Sequence, residues 1–69
     1  SACIAETKAE AEASGLVCPI VGHVGDGNFH VMVLFDPADP DERARADALT
    51  ASIAERAIRM GGTCSGEHG

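Results

Sequence analysis

Asp26-Gly27, set between the apolar runs 16–22 and 29–35, constrains the fold of this chain more than any other pair of residues. Asp-Gly is a preferred centre for the two-residue type I′ turn, whose positive φ angles and twist suit antiparallel strands. With Asp26 and Gly27 as turn centre, Gly25 pairs with Asn28, Val24 with Phe29 and His23 with His30. Opposed residues have Cβ atoms about 4.5–5.5 Å apart, so two imidazole nitrogens can meet one metal ion at about 2.0–2.1 Å. The hairpin thus offers half of a metal site. The arrangement depends on register, because a slip of one residue sends one histidine to the other face.

The flanking segments supply a scaffold. Residues 1–14 are rich in Ala, Glu and Lys and are followed by Gly15, which predicts a helix. Glu6, Lys8 and Glu10 read as its solvated surface. Residues 16–22 predict a buried strand; Pro19 cannot donate to a ladder, so the strand lies at an edge or carries a bulge. In the second strand, 29–35, His30, Met32 and Leu34 share one face and Phe29, Val31, Val33 and Phe35 the other. Both faces are apolar, so both are expected to be covered. Asp39 fits an N-cap, Pro40 the first helical position and Glu42 the third position of a capping box. Ala46, Leu49, Ile53, Ala57 and Met60 form the apolar stripe of the helix that follows, which is expected to end at Gly61-Gly62. Asp41 with Arg45, Arg43 with Asp47, and Glu55 with Arg59 lie four apart on its wet side, each pair contributing about 0.3–0.5 kcal/mol.

Helix, strand, strand, helix is the middle of a ferredoxin-like α+β sandwich with an antiparallel sheet. Two strands are rarely stable alone, so outer strands are expected beyond these residues, and the isolated piece is expected to form a homo-oligomer through its strand edges. The chain lacks an initiating Met and stops after Glu67-His68-Gly69, which reads as a piece of something longer. Its 69 residues include two Phe and neither Trp nor Tyr, so the core is aliphatic, alanine-rich and thin.

Net charge narrows the partners. At −6, with four of the five basic residues (Arg43, Arg45, Arg56 and Arg59) on one helix beside acidic neighbours, no basic patch for nucleic acid results. Three cysteines, Cys3, Cys18 and Cys64, make an odd count without a C-x-x-C pair. Neither a disulfide framework nor a thiolate zinc knuckle is expected, and a reducing compartment follows. Cys18 reads as a small hydrophobe; Cys64 lies beside polar residues, and both are taken as inert. No transmembrane segment and no cleavable signal is recognisable.

The last stretch, 61–69, reads as a glycine-rich loop that brings Glu67 and His68 to the end of the helix. Two histidines and one carboxylate are a common set for a catalytic divalent ion with open positions. Glu67 completes that set with His23 and His30, and His68, pointing elsewhere, is left for proton transfer. Asp26 and Asn28 are turn formers first, with Asn28 also within reach of a ligand. Two other readings stay open on these residues: a small interaction or regulatory module with structural histidines, and a fragment of a hydrolase using metal-bound water.

The strings G-H-V-G-D-G-N-F-H at 22–30 and G-G-T-C-S-G-E-H-G at 61–69 together resemble the C-terminal region of FAD-linked oxidases. That family includes D-lactate dehydrogenases, glycolate oxidase flavin subunits and D-2-hydroxyglutarate dehydrogenases. The resemblance implies that residues 1–69 are part of a C-terminal substrate- and metal-binding domain, with FAD bound by a domain outside this chain. It implies His23, His30 and Glu67 as ligands of zinc or manganese, His68 as the base taking the substrate hydroxyl proton, and Asn28 as a substrate contact. The implied reaction is oxidation of a small D-2-hydroxy acid to the 2-oxo acid, for which this fragment alone is expected to be inactive. Met32 and Cys64 depart from the family pattern, the first where some members carry a polar residue that touches substrate. The expected location is cytoplasmic, or peripheral to a membrane on the reducing side. Neither the particular acid nor the electron acceptor follows from these residues.

Overall fold

In the computed structural model the backbone is described for residues 2–23, 28–60 and 64–68, and side chains for 3–22 and 29–60. Helix α1 spans Ala2–Ser14 and α2 spans Pro40–Arg59; strands β1, β2 and β3 span Ile20–His23, Asn28–Val33 and Cys64–His68. Among the described residues no helix is long and apolar enough to cross a membrane.

Both helices end as their sequences dictate. Ser14 Oγ donates to the Ala11 carbonyl at 2.6 Å and accepts from Leu16 N at 3.1 Å. Gly15 then takes φ +75°, where a side chain would be strained. At the start of α2, Asp39 accepts from Asp41 N at 2.9 Å and Glu42 N at 3.3 Å, with Pro40 in the first turn. The reciprocal half of the capping box differs from expectation. Asp39 N–H is taken by the Asp36 carbonyl at 3.0 Å, so Glu42 reaches past it and accepts from Asp36 N at 3.1 Å. Helix α2 closes at Met60, whose N–H donates to the Arg56 carbonyl at 2.9 Å.

The α+β class and the order helix, strand, strand, helix hold, with β3 added in the order β1-β2-β3. The expected loop at 64–68 is therefore corrected to a strand. Cys-Ser-Gly-Glu-His carries none of the branched or aromatic residues that signal a strand. It is a strand because α2 returns the chain parallel to β2, in the manner of a βαβ crossover, and the second edge of β2 accepts it.

The hairpin register is also corrected. β1 and β2 are antiparallel with Val21 opposite His30 and His23 opposite Asn28, two residues away from the expected pairing of His23 with His30. The expected Asp26-Gly27 turn centre lies outside the described residues. Val17 bridges Leu34 in the same register, and Met32 N donates to the Pro19 carbonyl at 2.9 Å. Pro19 thus accepts without needing to donate, on an edge strand and without a bulge.

Both helices pack on one sheet face. Phe29, Val31 and Val33 are buried there against Ala46, Leu49, Ile53 and Ala57 of α2 and Cys3 and Ala11 of α1. The opposite face, expected to be covered, is open: His30 and Leu34 are exposed, and Val17 and Val21 are 67% and 54% exposed. Both helices attach through the Phe29 side, so no helix or strand among the described residues covers the other.

Two side-chain expectations change. Arg56 is buried rather than solvated, because α1 lies across it. It donates to Thr7 Oγ1 at 3.0 Å and to Glu10 Oε1 at 2.7 Å, while Ser52 Oγ donates to Glu10 Oε2 at 2.6 Å. Glu6 stands 3.6 Å from both Arg56 and Arg59, so Glu6 and Glu10 serve the helix interface rather than open solvent. The Asp41–Arg45 pair forms at 3.0 Å as expected, and Arg45 also donates to the Ser14 carbonyl at 2.6 Å. Cys3 is disulfide-bonded and Cys18 is free.

Candidate metal centre

Strand periodicity sorts the candidate residues by face. Alternate residues of a strand lie on opposite faces, and paired positions share a face. Asn28, His30 and Met32 of β2 therefore share the open face with their partners His23 and Val21 of β1 and Ser65 and Glu67 of β3. Because the register differs from expectation by two residues rather than one, the change leaves His23 on the face of His30.

His30 occupies the middle position. Val21 and Ser65 lie directly opposite it, while His23 and Glu67 hold diagonal positions on either side, His23 level with Asn28 and Glu67 level with Met32. Diagonal neighbours are roughly 7–8 Å apart, within reach of long side chains. The outer two are farther from each other, roughly 16 Å on an untwisted sheet with about 4.8 Å between strands and about 3.3 Å per residue. The three residues form a diagonal line across the sheet.

His68 is placed differently. Its register position is opposite Val33, on the side that packs against the helices, so alternation separates it from Glu67. Among the described residues no group of three or more His, Cys, Asp or Glu gathers as a metal site. Of the proposed ligands and base, His30 has its side chain described and exposed; those of His23, Glu67, His68 and also Asn28 lie outside the described residues. Sequence reasoning passed over Ser65 and Val21, the direct neighbours of His30. Ser65 was hidden by reading 61–69 as a loop, and Val21 by the two-residue difference in register.

The surroundings are apolar. Met32 is half-buried beside His30, and Val17, Val21 and Leu34 extend the same face. A separate groove of about 430 Å³ lies between the end of α1 and β1, lined by Lys8, Ala11, Glu12, Leu16, Cys18 and Ile20. Burial pushes the Cys18 thiol up from its ordinary pKa, against a smaller opposing effect of Ser14, which keeps it protonated and unreactive.

Residues 1–69 match the family model described as FAD linked oxidases, C-terminal domain. The chain is 52% identical over 66 residues to a protein of Danio rerio named probable D-lactate dehydrogenase, mitochondrial, covering 96% of this chain and 13% of that protein. It is 51% identical over 49 residues to the glycolate oxidase subunit GlcD of Escherichia coli (strain K12), covering 71% of this chain and 10% of that one. With the D-2-hydroxyglutarate dehydrogenase of Pseudomonas putida it shares 35% identity over 66 residues, or 96% of this chain and 7% of the relative. This chain therefore spans a small part of each of these relatives. No solved structure matches it.

Proposed function

This chain belongs to the family of FAD linked oxidases, C-terminal domain, and from that premise we propose that it is part of the substrate- and metal-binding domain of an FAD-dependent oxidoreductase. The FAD-binding domain lies outside these 69 residues, and the substrate is a D-2-hydroxy acid of the lactate, glycolate or 2-hydroxyglutarate type, oxidised to the 2-oxo acid. The observation that supports the reading is one of register: His23 and Glu67 hold positions of the same parity as His30, whose side chain is exposed on the sheet face opposite the helices.

The donor set fits a divalent ion. Two imidazoles and one carboxylate are borderline ligands suited to zinc or manganese and leave positions for substrate oxygens. His30 would be the central ligand, with His23 and Glu67 at diagonal register positions on the two neighbouring strands. A divalent ion held there would supply Lewis acidity that lowers the pKa of the substrate hydroxyl. His68, next to Glu67 in sequence, is the residue that receives that proton; to meet the same substrate, the backbone must leave its extended path between Glu67 and His68. Asn28, opposite His23 in the register, is the proposed substrate contact. FAD, bound outside this chain, would supply the two-electron oxidant for the substrate.

The test uses the full-length parent. It is expected to be yellow, to contain about one divalent ion per chain by elemental analysis and to reduce a dye with a D-2-hydroxy acid. His30→Ala is expected to lose the ion and the activity. His68→Ala is expected to keep flavin and metal while kcat falls by roughly 10²–10⁴. A colourless parent, or a His30→Ala enzyme with its metal and rate intact, refutes the assignment.

A further inference from the structure

Strand β1 is an outer strand of the sheet, and its far edge has no partner among the described residues. The carbonyls of Val17 and Pro19 accept from Leu34 N and Met32 N, so the odd-numbered positions turn their backbone groups toward β2. Alternation turns those of Leu16, Cys18, Ile20 and Gly22 the other way, to the free edge. Sheets guard such edges with charged side chains, proline or bulges. None of these outward positions carries a charge, and Pro19, which has no N–H to give, occupies an inward one. An unguarded edge of this kind recruits another strand.

The groove beside that edge selects the strand. It has a volume of about 430 Å³ and is lined by Leu16, Cys18 and Ile20 together with Lys8, Ala11 and Glu12 of α1. We propose that a second copy of this chain docks here, its β1 pairing antiparallel with this β1 about a two-fold axis at Cys18. The axis sets Cys18 opposite Cys18 of the second copy and Leu16 opposite its Ile20. Each Cys18 N–H donates to the other Cys18 carbonyl, and each Ile20 N–H to the Leu16 carbonyl across the seam. Leu16 N–H is already committed to Ser14 Oγ at 3.1 Å, so the ladder asks only for its carbonyl. Lys8 and Glu12 lie one turn apart on α1, both exposed and without an ion pair among the described residues. The same axis brings each to its opposite charge on the second copy, the self-complementarity that an isologous contact requires. Exposed Ala5 and Ala9 on α1 let the two helices lie close together.

The axis stands perpendicular to the sheet, so the two sheets join edge to edge with all helices on one side. The faces bearing His30 stay clear on the other. The dimer is therefore independent of the proposed metal centre, and either reading can fail without the other.

Sedimentation equilibrium of the 69-residue chain at about 1–300 μM tests the association, with hydrogen exchange followed at the amides of Cys18 and Ile20. A monomer–dimer equilibrium is expected, with exchange at both amides slowing roughly tenfold as dimer forms. Ile20→Pro removes an outward N–H and is expected to give a folded monomer by circular dichroism. Lys8→Glu and Glu12→Lys are each expected to weaken association roughly tenfold, and the two together to restore it. The charge variants touch no buried residue, so they decide the matter even where Ile20→Pro does not fold. A chain that stays monomeric, a dimer whose Cys18 and Ile20 amides exchange as in the monomer, or a double variant no tighter than the single ones overturns the proposal. Protection of those amides in the full-length parent but not in the 69-residue chain assigns the edge to a strand of the parent and overturns it as well.

Discussion

Removing the Arg56 side chain tests how α1 is held. Its side chain is 10% exposed, and its guanidinium donates to Thr7 Oγ1 and Glu10 Oε1 and faces Glu6 at 3.6 Å. Truncation to Ala strips Thr7, itself fully buried, of its donor and leaves Glu10 with Ser52. Breaking a fully buried ion pair from one side costs about 3–5 kcal/mol. The Glu10 side chain is 34% exposed, so water replaces part of what is lost. Allowing for that solvent, Arg56→Ala is expected to cost about 2 kcal/mol. A chain of this length has about 3–10 kcal/mol of stability in total, so the change is large. Urea unfolding followed by circular dichroism measures it, and a cycle with Glu10→Gln isolates the coupling. The acid limb gives a second check. Burial tends to raise the Glu10 pKa, but the hydrogen bonds from Ser52 and Arg56, with the Arg56 charge, hold it below its ordinary value of 4.5. A carboxyl depressed in the folded state stabilises fully above its unfolded pKa, and that contribution disappears as pH falls through the lower folded value. The wild type is thus expected to lose stability below pH 4.5 more steeply than Arg56→Ala. A loss under about 0.5 kcal/mol, the range of an ordinary surface substitution, together with an unchanged acid limb, refutes the helix-anchoring role.

Two further changes probe the scaffold. Ile53 is fully buried between α2 and the sheet, so Ile53→Ala is expected to cost about 3–4 kcal/mol and to leave the 69-residue chain largely unfolded by circular dichroism. Asp39→Ala removes the acceptor for Asp41 N and Glu42 N, and a loss of about 1 kcal/mol in urea unfolding is expected, recovered in good part by Asp39→Ser.

What was legible in the sequence was what local chemistry decides. Asp39-Pro40 marks the start of α2 within a residue, Gly15 marks the stop of α1, and the spacing of Ala46, Leu49, Ile53 and Ala57 matches the buried stripe. What escaped is decided by partners distant in sequence. Arg56 looks solvated on its own helix and is buried because Thr7 and Glu10 reach it from a helix more than forty residues earlier. β3 has no strand signal of its own and exists because the edge of β2 accepts it. The bare face beside His30 reflects the attachment of both helices on one side, which alternation along a strand does not encode.

For the proposed ligands, parity was legible in the sequence and spacing was not. A two-residue difference in register preserves the face of every side chain, so His23, His30 and Glu67 share a face whether His23 stands opposite His30 or opposite Asn28. The distance between the outer ligands does change. In the expected register His23 and Glu67 would be about 12 Å apart on a flat sheet, against roughly 16 Å in the observed one. His30 can share an ion with either neighbour, but a single ion taking all three must draw β1 and β3 toward each other over β2. Among the described residues nothing packs on that face to press them together. The 69-residue chain is therefore expected to take up zinc weakly, with His23→Ala and Glu67→Gln each lowering affinity by only a few-fold, because either can serve as the second ligand. In the parent each substitution is expected to abolish stoichiometric binding. Calorimetric titration of both proteins with zinc distinguishes the cases. A tight stoichiometric site in the isolated chain, lost with any one of the three residues, refutes the diagonal arrangement and favours direct opposition of His23 and His30.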